Sequence, residues 1–218
     1  MPVREELAIP ADGGSLGATL TLPDRPNGLV VFAHGSGSSR TSPRNRLVAG
    51  VLVDAGLGTL LMDLLTAEEE VEDARTAALR FDIALLAERL TAAVDLVGED
   101  RRLRPLGLGL FGASTGAAAA LVTAADRPSV GRAVVSRGGR PDLARHRLPE
   151  VQAPTLLIVG GDDPVVIEMN RAALPELTGA ERRLEIVPGA THLFEEPGTL
   201  ERVADLARDW FLRYLSSG

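Results

Sequence analysis

Apolar and polar positions along the chain fall into two alternating kinds of segment. Short runs of mostly apolar residues stand at Leu29–Ala33, Thr59–Met62, Ala133–Val135 and Thr155–Val159, and Leu184–Val187, broken by Glu185, reads as the last strand. A run that is apolar at successive positions belongs to a strand covered on both faces. Between the runs, apolar residues recur at helical spacing. They are Leu47, Val48, Val51, Leu52 and Ala55; then Ile83, Leu86, Leu90, Val94 and Val97 within Leu79–Val97. Val203, Leu206, Ala207, Trp210, Phe211 and Tyr214 mark a closing amphipathic helix over Leu200–Leu215. Ser42 offers a cap to the first of these helices, and Pro43 suits its first turn.

The N-terminal pattern differs. Leu7–Ile9 and Leu16–Leu22 flank the turn residues Ala11-Asp12-Gly13-Gly14, which predicts an antiparallel hairpin. Thr19 and Thr21 alternate with Leu20 and Leu22, so one face of its second strand is wetter. Strands alternating with helices predict an α/β protein with a mostly parallel sheet of about eight strands and helices on both faces. The 218 residues suit one core, and no internal repeat or low-complexity linker breaks them. Residues 1–218 therefore read as a single domain.

Leu106–Ala125 reads LGLGLFGASTGAAAALVTAA. A short apolar run enters Gly112-Ala113-Ser114-Thr115-Gly116, and an alanine-rich helical segment follows at once. That is a strand, a tight turn and a helix, with a serine at the apex. The turn strains the serine backbone, lifts its hydroxyl above the sheet edge and aims the helix N-terminus at the same spot.

Other strand ends carry chemistry as well, and functional groups gather there in such sheets. His34-Gly35-Ser36-Gly37-Ser38-Ser39 follows a buried strand, and its amides are free to point at a ligand as an oxyanion hole. Gly160-Gly161-Asp162-Asp163 and Pro188-Gly189-Ala190-Thr191-His192 follow two later strands. A serine hydroxyl needs an imidazole to take its proton and a carboxylate to hold that imidazole. Of the three histidines, His192 follows the last strand, where a base projects towards the serine. His34 reads as ordering the loop after it, and His146 as a surface residue in an arginine-rich connector. Asp163 is preferred as the acid by its G-x-x-D-x-x-V spacing, with Asp162 the alternative. The chain order Ser, Asp, His is that of the α/β-hydrolase arrangement.

Composition narrows the field. There are no cysteines, which removes disulfides, thiolate metal sites and a cysteine nucleophile. A net charge of −7 argues against a nucleic-acid surface. The 23 basic residues are all arginine. The charged N-terminus does not read as a signal peptide, and no apolar run is long enough for a bilayer. The expected location is the cytoplasm, with no membrane partner; oligomeric state is left open. The acidic run Thr66–Asp73 reads as a mobile surface loop opening a helix. Arg80 and Asp82 are expected to pair or to anchor that loop. Arg40, Arg44 and Arg46 either line the mouth of the site or form a solvated face. Arg137 and Arg140, past a strand end, either clamp an anionic substrate group or bridge to the acidic loops. The short connection through His146 leaves no room for a large lid, so an open, shallow site is expected.

The motifs AHGSGSS, GASTG, VGGDDPVV and PGATHLFEEPG resemble those of a serine member of the dienelactone-hydrolase-like branch of the α/β-hydrolases. The resemblance covers nearly the whole chain. It implies Ser114 as nucleophile, His192 as base and Asp163 as acid. The amides of Thr115 and of the Gly35-Ser36 region are then the oxyanion hole. Dienelactone hydrolases use a cysteine nucleophile, which this chain lacks, so ordinary small or short-acyl esters are the expected substrates, with no metal and no cofactor. SPRNR and SRGGRPDLA resemble a subgroup sometimes fused to a phosphoribosyltransferase domain, and no such domain is expected within these residues. The rival reading keeps the fold but makes the protein a non-catalytic or regulatory anion binder.

Overall fold

The computed structural model describes residues 1–216. Strands β1 (Val3–Ala11) and β2 (Gly14–Leu22) form the expected hairpin, with Val3 opposite Leu22 and Ala11 opposite Gly14. Then follow β3 (Leu29–Ala33), α1 (Pro43–Asp54), β4 (Gly58–Met62), α2 (Ala67–Thr76) and α3 (Ile83–Glu99). The second half runs β5 (Leu108–Ala113), α4 (Thr115–Asp126), β6 (Gly131–Arg137), β7 (Thr155–Gly160), α5 (Pro164–Ala173), β8 (Arg182–Val187) and α6 (Thr199–Leu215). The eight strands make one sheet in the order β1-β2-β4-β3-β5-β6-β7-β8. β2 meets both β1 and β4 antiparallel, and every pairing from β4 to β8 is parallel. This is the α/β-hydrolase fold.

The inner strands β3, β4, β5 and β7 are buried at every position, as their unbroken apolar runs require. Successive side chains divide between two layers. Val31, Leu60, Leu110 and Val134 pack under α3 and α4; Val30, Phe32, Phe111 and Val135 pack under α1 and α6. α4 is buried from Thr115 to Ala125, because the sheet lies on one side and α3 and the 141–150 segment cover the other. Alanine suits it there: a larger side chain has no free face to point to.

Three local readings are corrected. The acidic run is not a mobile loop but helix α2. Thr66 caps it: its hydroxyl accepts the Glu69 amide at 3.2 Å, and Glu69 returns to the Thr66 amide at 2.8 Å. Its first-turn glutamates also suit the positive end of the helix dipole. α3 begins at Ile83, not at Leu79; Leu79–Phe81 is a single 3-10 turn, and Asp82 caps the helix through the Leu85 amide. Arg80 pairs not with Asp82 but with Asp73, at 2.6 Å, so it anchors the end of α2. The β6–β7 connection carries only 3-10 turns over Pro141–Glu150, and among the described residues no large lid covers the strand ends. No helix among the described residues is long and apolar enough to cross a membrane.

Candidate active site

The β5–α4 junction turns within one residue. Ser114 sits at φ 51°, ψ −119°, a conformation that costs a side-chain-bearing residue stability. The turn exists because both flanks are stripped of side chains. A Cβ on Gly112 would lie 2.4 Å from the Ala117 Cα, and one on Gly116 would lie 2.3 Å from the His34 carbonyl oxygen. The 137–140 segment then holds the elbow from outside. The Ser114 amide donates to the Arg137 carbonyl, and the Arg140 amide donates to the Ser114 carbonyl, both at 3.2 Å.

That same segment meets the imidazole. Gly138 has φ +52°, and a Cβ there would lie 3.5 Å from His192 Cε1. His192 Nδ1 donates to Asp163 Oδ2 at 2.7 Å. Asp163 caps α5, its Oδ1 accepting the Val166 amide at 3.4 Å. Asp162 is exposed, and its amide is tied to the Ala190 carbonyl. The carboxylate on His192 is therefore that of Asp163. An imidazole whose Nδ1–H is held by a carboxylate presents Nε2 as a proton acceptor.

The loop after β3 approaches from the other side. A Cβ on Gly35 would lie 3.1 Å from the Ser114 Cβ. The hydroxyls of Ser36 and Thr115 are hydrogen-bonded to each other at 3.1 Å, joining this loop to the start of α4. The amides of Ser36 and Thr115 have no acceptor among the described residues. His34 braces the loop from below: its Nε2 accepts the Leu64 amide at 3.1 Å, so Nδ1 carries the proton and donates to the Gly35 carbonyl at 3.0 Å. Burial pushes the His34 imidazole below its ordinary pKa, keeping it neutral. His146 is exposed.

A cleft of about 580 Å³ adjoins Ser36 and Thr115. Arg44 of α1, Glu70 and Asp73 of α2, and Arg80 line it. α2 thus stands along one wall of this cleft, where a mobile loop was expected. The arginines divide. Arg40 pairs with Asp63, and Arg46 is exposed; only Arg44 of the three borders this cleft. Arg140 is engaged by Asp142 through two bonds, at 2.9 and 2.7 Å. Arg137 is buried with no carboxylate on it. Sequence reasoning missed the part of Gly138 and Gly139; two adjacent glycines just past a strand end were the available signal.

Comparison with known proteins agrees with this architecture. A dienelactone hydrolase from Anabaena variabilis superposes with TM-score 0.95 at 56% identity, covering 98% of this chain and 99% of that one. An α/β serine hydrolase without a lid from Xanthomonas campestris shares the fold at TM-score 0.78 and 20% identity, over 99% of this chain and 96% of that one. Two Mycobacterium tuberculosis proteins with the provisional name phosphoribosyl transferase are 57% identical over 215 residues. That match takes in 98% of this chain and 47% of theirs, so the chain spans about half the length of these curated relatives. The dienelactone hydrolase family model matches residues 16–216, and the chain belongs to that family.

Proposed function

We propose that the protein is a serine hydrolase of small or short-acyl carboxylic esters, working through an acyl-enzyme. The observation that carries this is the shared loop: the 137–140 segment holds the strained Ser114 elbow by two backbone bonds and packs against the Asp163-bound ring of His192. In the proposed reaction, His192 Nε2 takes the Ser114 proton as Oγ attacks the ester carbonyl carbon. Asp163 steadies the imidazolium. The amides of Ser36 and Thr115, with Gly35 beside them, hold the oxyanion. The proton on His192 then passes to the departing alcohol. A water activated by His192 attacks the acyl carbon, releases the acid and restores Ser114. Hydroxyls and charged groups dominate the cleft lining, which supports a small polar substrate.

The test is labelling with a fluorescent fluorophosphonate, with the adduct mapped by mass spectrometry. The expected adduct is on Ser114 and disappears in His192→Ala. Full turnover of a short p-nitrophenyl ester by Ser114→Ala would end the proposal. The anion-binding alternative draws on one observation, the unpaired Arg137; a folded, unlabelled protein that binds anions tightly would favour it. The provisional name of the curated relatives belongs to proteins about twice as long, and this reading does not rest on it.

A further inference from the structure

β8 stands last in the sheet and pairs with β7 alone. The bonds between them fix which way each peptide group of β8 points. The Thr155 amide donates to the Glu181 carbonyl at 2.9 Å, and the Gly161 amide donates to the Val187 carbonyl at 2.8 Å. The amide and carbonyl of one strand residue point to the same side, and successive residues alternate. Glu181, Arg183, Glu185 and Val187 therefore turn theirs towards β7. Arg182, Leu184 and Ile186 turn theirs outward, where no other strand among the described residues meets them. The side chains of Leu184 and Ile186 lie on the face covered by α5, packed against Val159, Val166 and Ile167 and half-buried. Arg183 and Glu185 share the opposite face and pair with each other.

An open strand edge is a template for a further strand, and charges along it ordinarily turn one away. On β8 the charges are self-complementary in a single register. Consider two copies of the strand, antiparallel about a two-fold axis. An axis at Arg182 or Arg183 sets arginine against arginine, and one at Glu185 sets glutamate against glutamate. An axis at Ile186 brings Pro188, which has no amide, opposite Leu184. An axis at Leu184 sets Arg183 of each copy against Glu185 of the other, a favourable cross-strand pair. It also sets Leu184 against its own copy and Arg182 against Ile186, so that every outward amide of these residues meets an outward carbonyl. We propose that the open edge of β8 is the contact surface for a second copy of this chain, the two strands pairing antiparallel about Leu184 into one continuous sheet. Antiparallel β8 strands place the two sets of strand carboxyl ends at opposite ends of that sheet, so neither candidate active site is covered. The contact stands independently of the hydrolase reading.

Sedimentation of the full chain over a concentration series up to about 200 μM tests it, and a monomer–dimer equilibrium with a midpoint on the order of 10 μM is expected. Arg183→Glu and Glu185→Arg should each weaken the dimer about tenfold or more, because each sets like charges opposite one another. The double swap Arg183→Glu with Glu185→Arg should restore it. Arg182→Pro removes an amide that points away from β7, so it should leave thermal melting of the dilute monomer unchanged and still weaken the dimer. Amide exchange at Leu184 and Ile186 should slow at concentrations where the dimer forms. A chain that stays monomeric throughout the series overturns the proposal, as does a dimer indifferent to both charge reversals. Assemblies that keep growing past the dimer also overturn it, because they mark a contact between two different surfaces.

Discussion

Asp163 divides its carboxylate between two neighbours: Oδ2 accepts from His192 at 2.7 Å, and Oδ1 accepts the Val166 amide at the start of α5. The helix cap thereby fixes the direction from which the imidazole is held. Asparagine caps a helix as well as aspartate does, yet it supplies no charge for an imidazolium and permits the wrong tautomer. Asp163→Asn should therefore fold normally and lose about 10³–10⁴-fold in kcat. Melting curves and ester hydrolysis measured on the same sample check this. A loss under tenfold would take the role away from Asp163.

The backbone of Ser114 yields a separation of stability from activity. Its φ of 51° and ψ of −119° lie outside the comfortable range for any residue with a Cβ. Ser114→Gly and Ser114→Ala should both abolish turnover. Only the glycine variant relieves the strain, so it should be the more stable of the two by about 1 kcal/mol, after the greater flexibility of unfolded glycine is offset. Paired denaturant titrations give the difference. Equal stability would mean that the elbow stores no strain.

The legibility of the fold followed burial. β3, β4, β5 and β7 are covered on both faces, and their runs of Leu, Val and Ile said so. The elbow was readable because Gly112, Ser114 and Gly116 stand between an apolar run and a helical one. α2 was not readable by periodicity: it buries only Asp73, so no apolar stripe marks it. Its signal was the capping pair Thr66 and Glu69, which an acidic composition masked. α5 carried two signals, Asp163-Pro164 as a cap followed by proline and a short buried stripe of Val166, Ile167, Asn170 and Ala173. Some ion pairs follow helical i,i+3 spacing, as Arg171 with Glu168 and Arg208 with Asp205 do, but the pairs that tie separate elements followed no sequence rule. Arg80 chose Asp73 over the nearer Asp82 because Asp82 was already spent on a helix cap. The solitude of Arg137 is a fact of three dimensions alone.

His34 predicts a pH dependence of stability. Its folded pKa is lowered by burial, whereas the unfolded chain titrates near 6.5. Below that value the unfolded state binds a proton that the folded state refuses, so stability is intact above about pH 6.5 and is lost as pH falls through it. Protonation would also remove the acceptor used by the Leu64 amide. The contribution approaches 1.4 kcal/mol for each unit of pH, about the limit for one group. His34→Gln should be less stable than wild type at pH 8 and should close the gap towards pH 5. Parallel stability profiles for the two proteins would remove His34 as the cause.

α2 predicts a link between a helix cap and substrate binding. The helix supplies Glu70 and Asp73 to the cleft wall, yet its other contacts with the body are sparse. It is held by the Thr66–Glu69 capping box and the pairing of Glu69 with the buried Arg89 of α3 at one end, and by Arg80 on Asp73 at the other. Thr66→Ala removes the hydroxyl half of the capping box, the acceptor of the Glu69 amide, at a cost of about 1 kcal/mol. Such a cost falls on local opening more than on global unfolding, because α2 belongs to the weakly packed part of the structure. Amide exchange within 67–76 should accelerate about fivefold, the melting temperature should barely move, and KM should rise while kcat stays near that of wild type. An unchanged KM with faster exchange would show that the substrate does not rest against this wall.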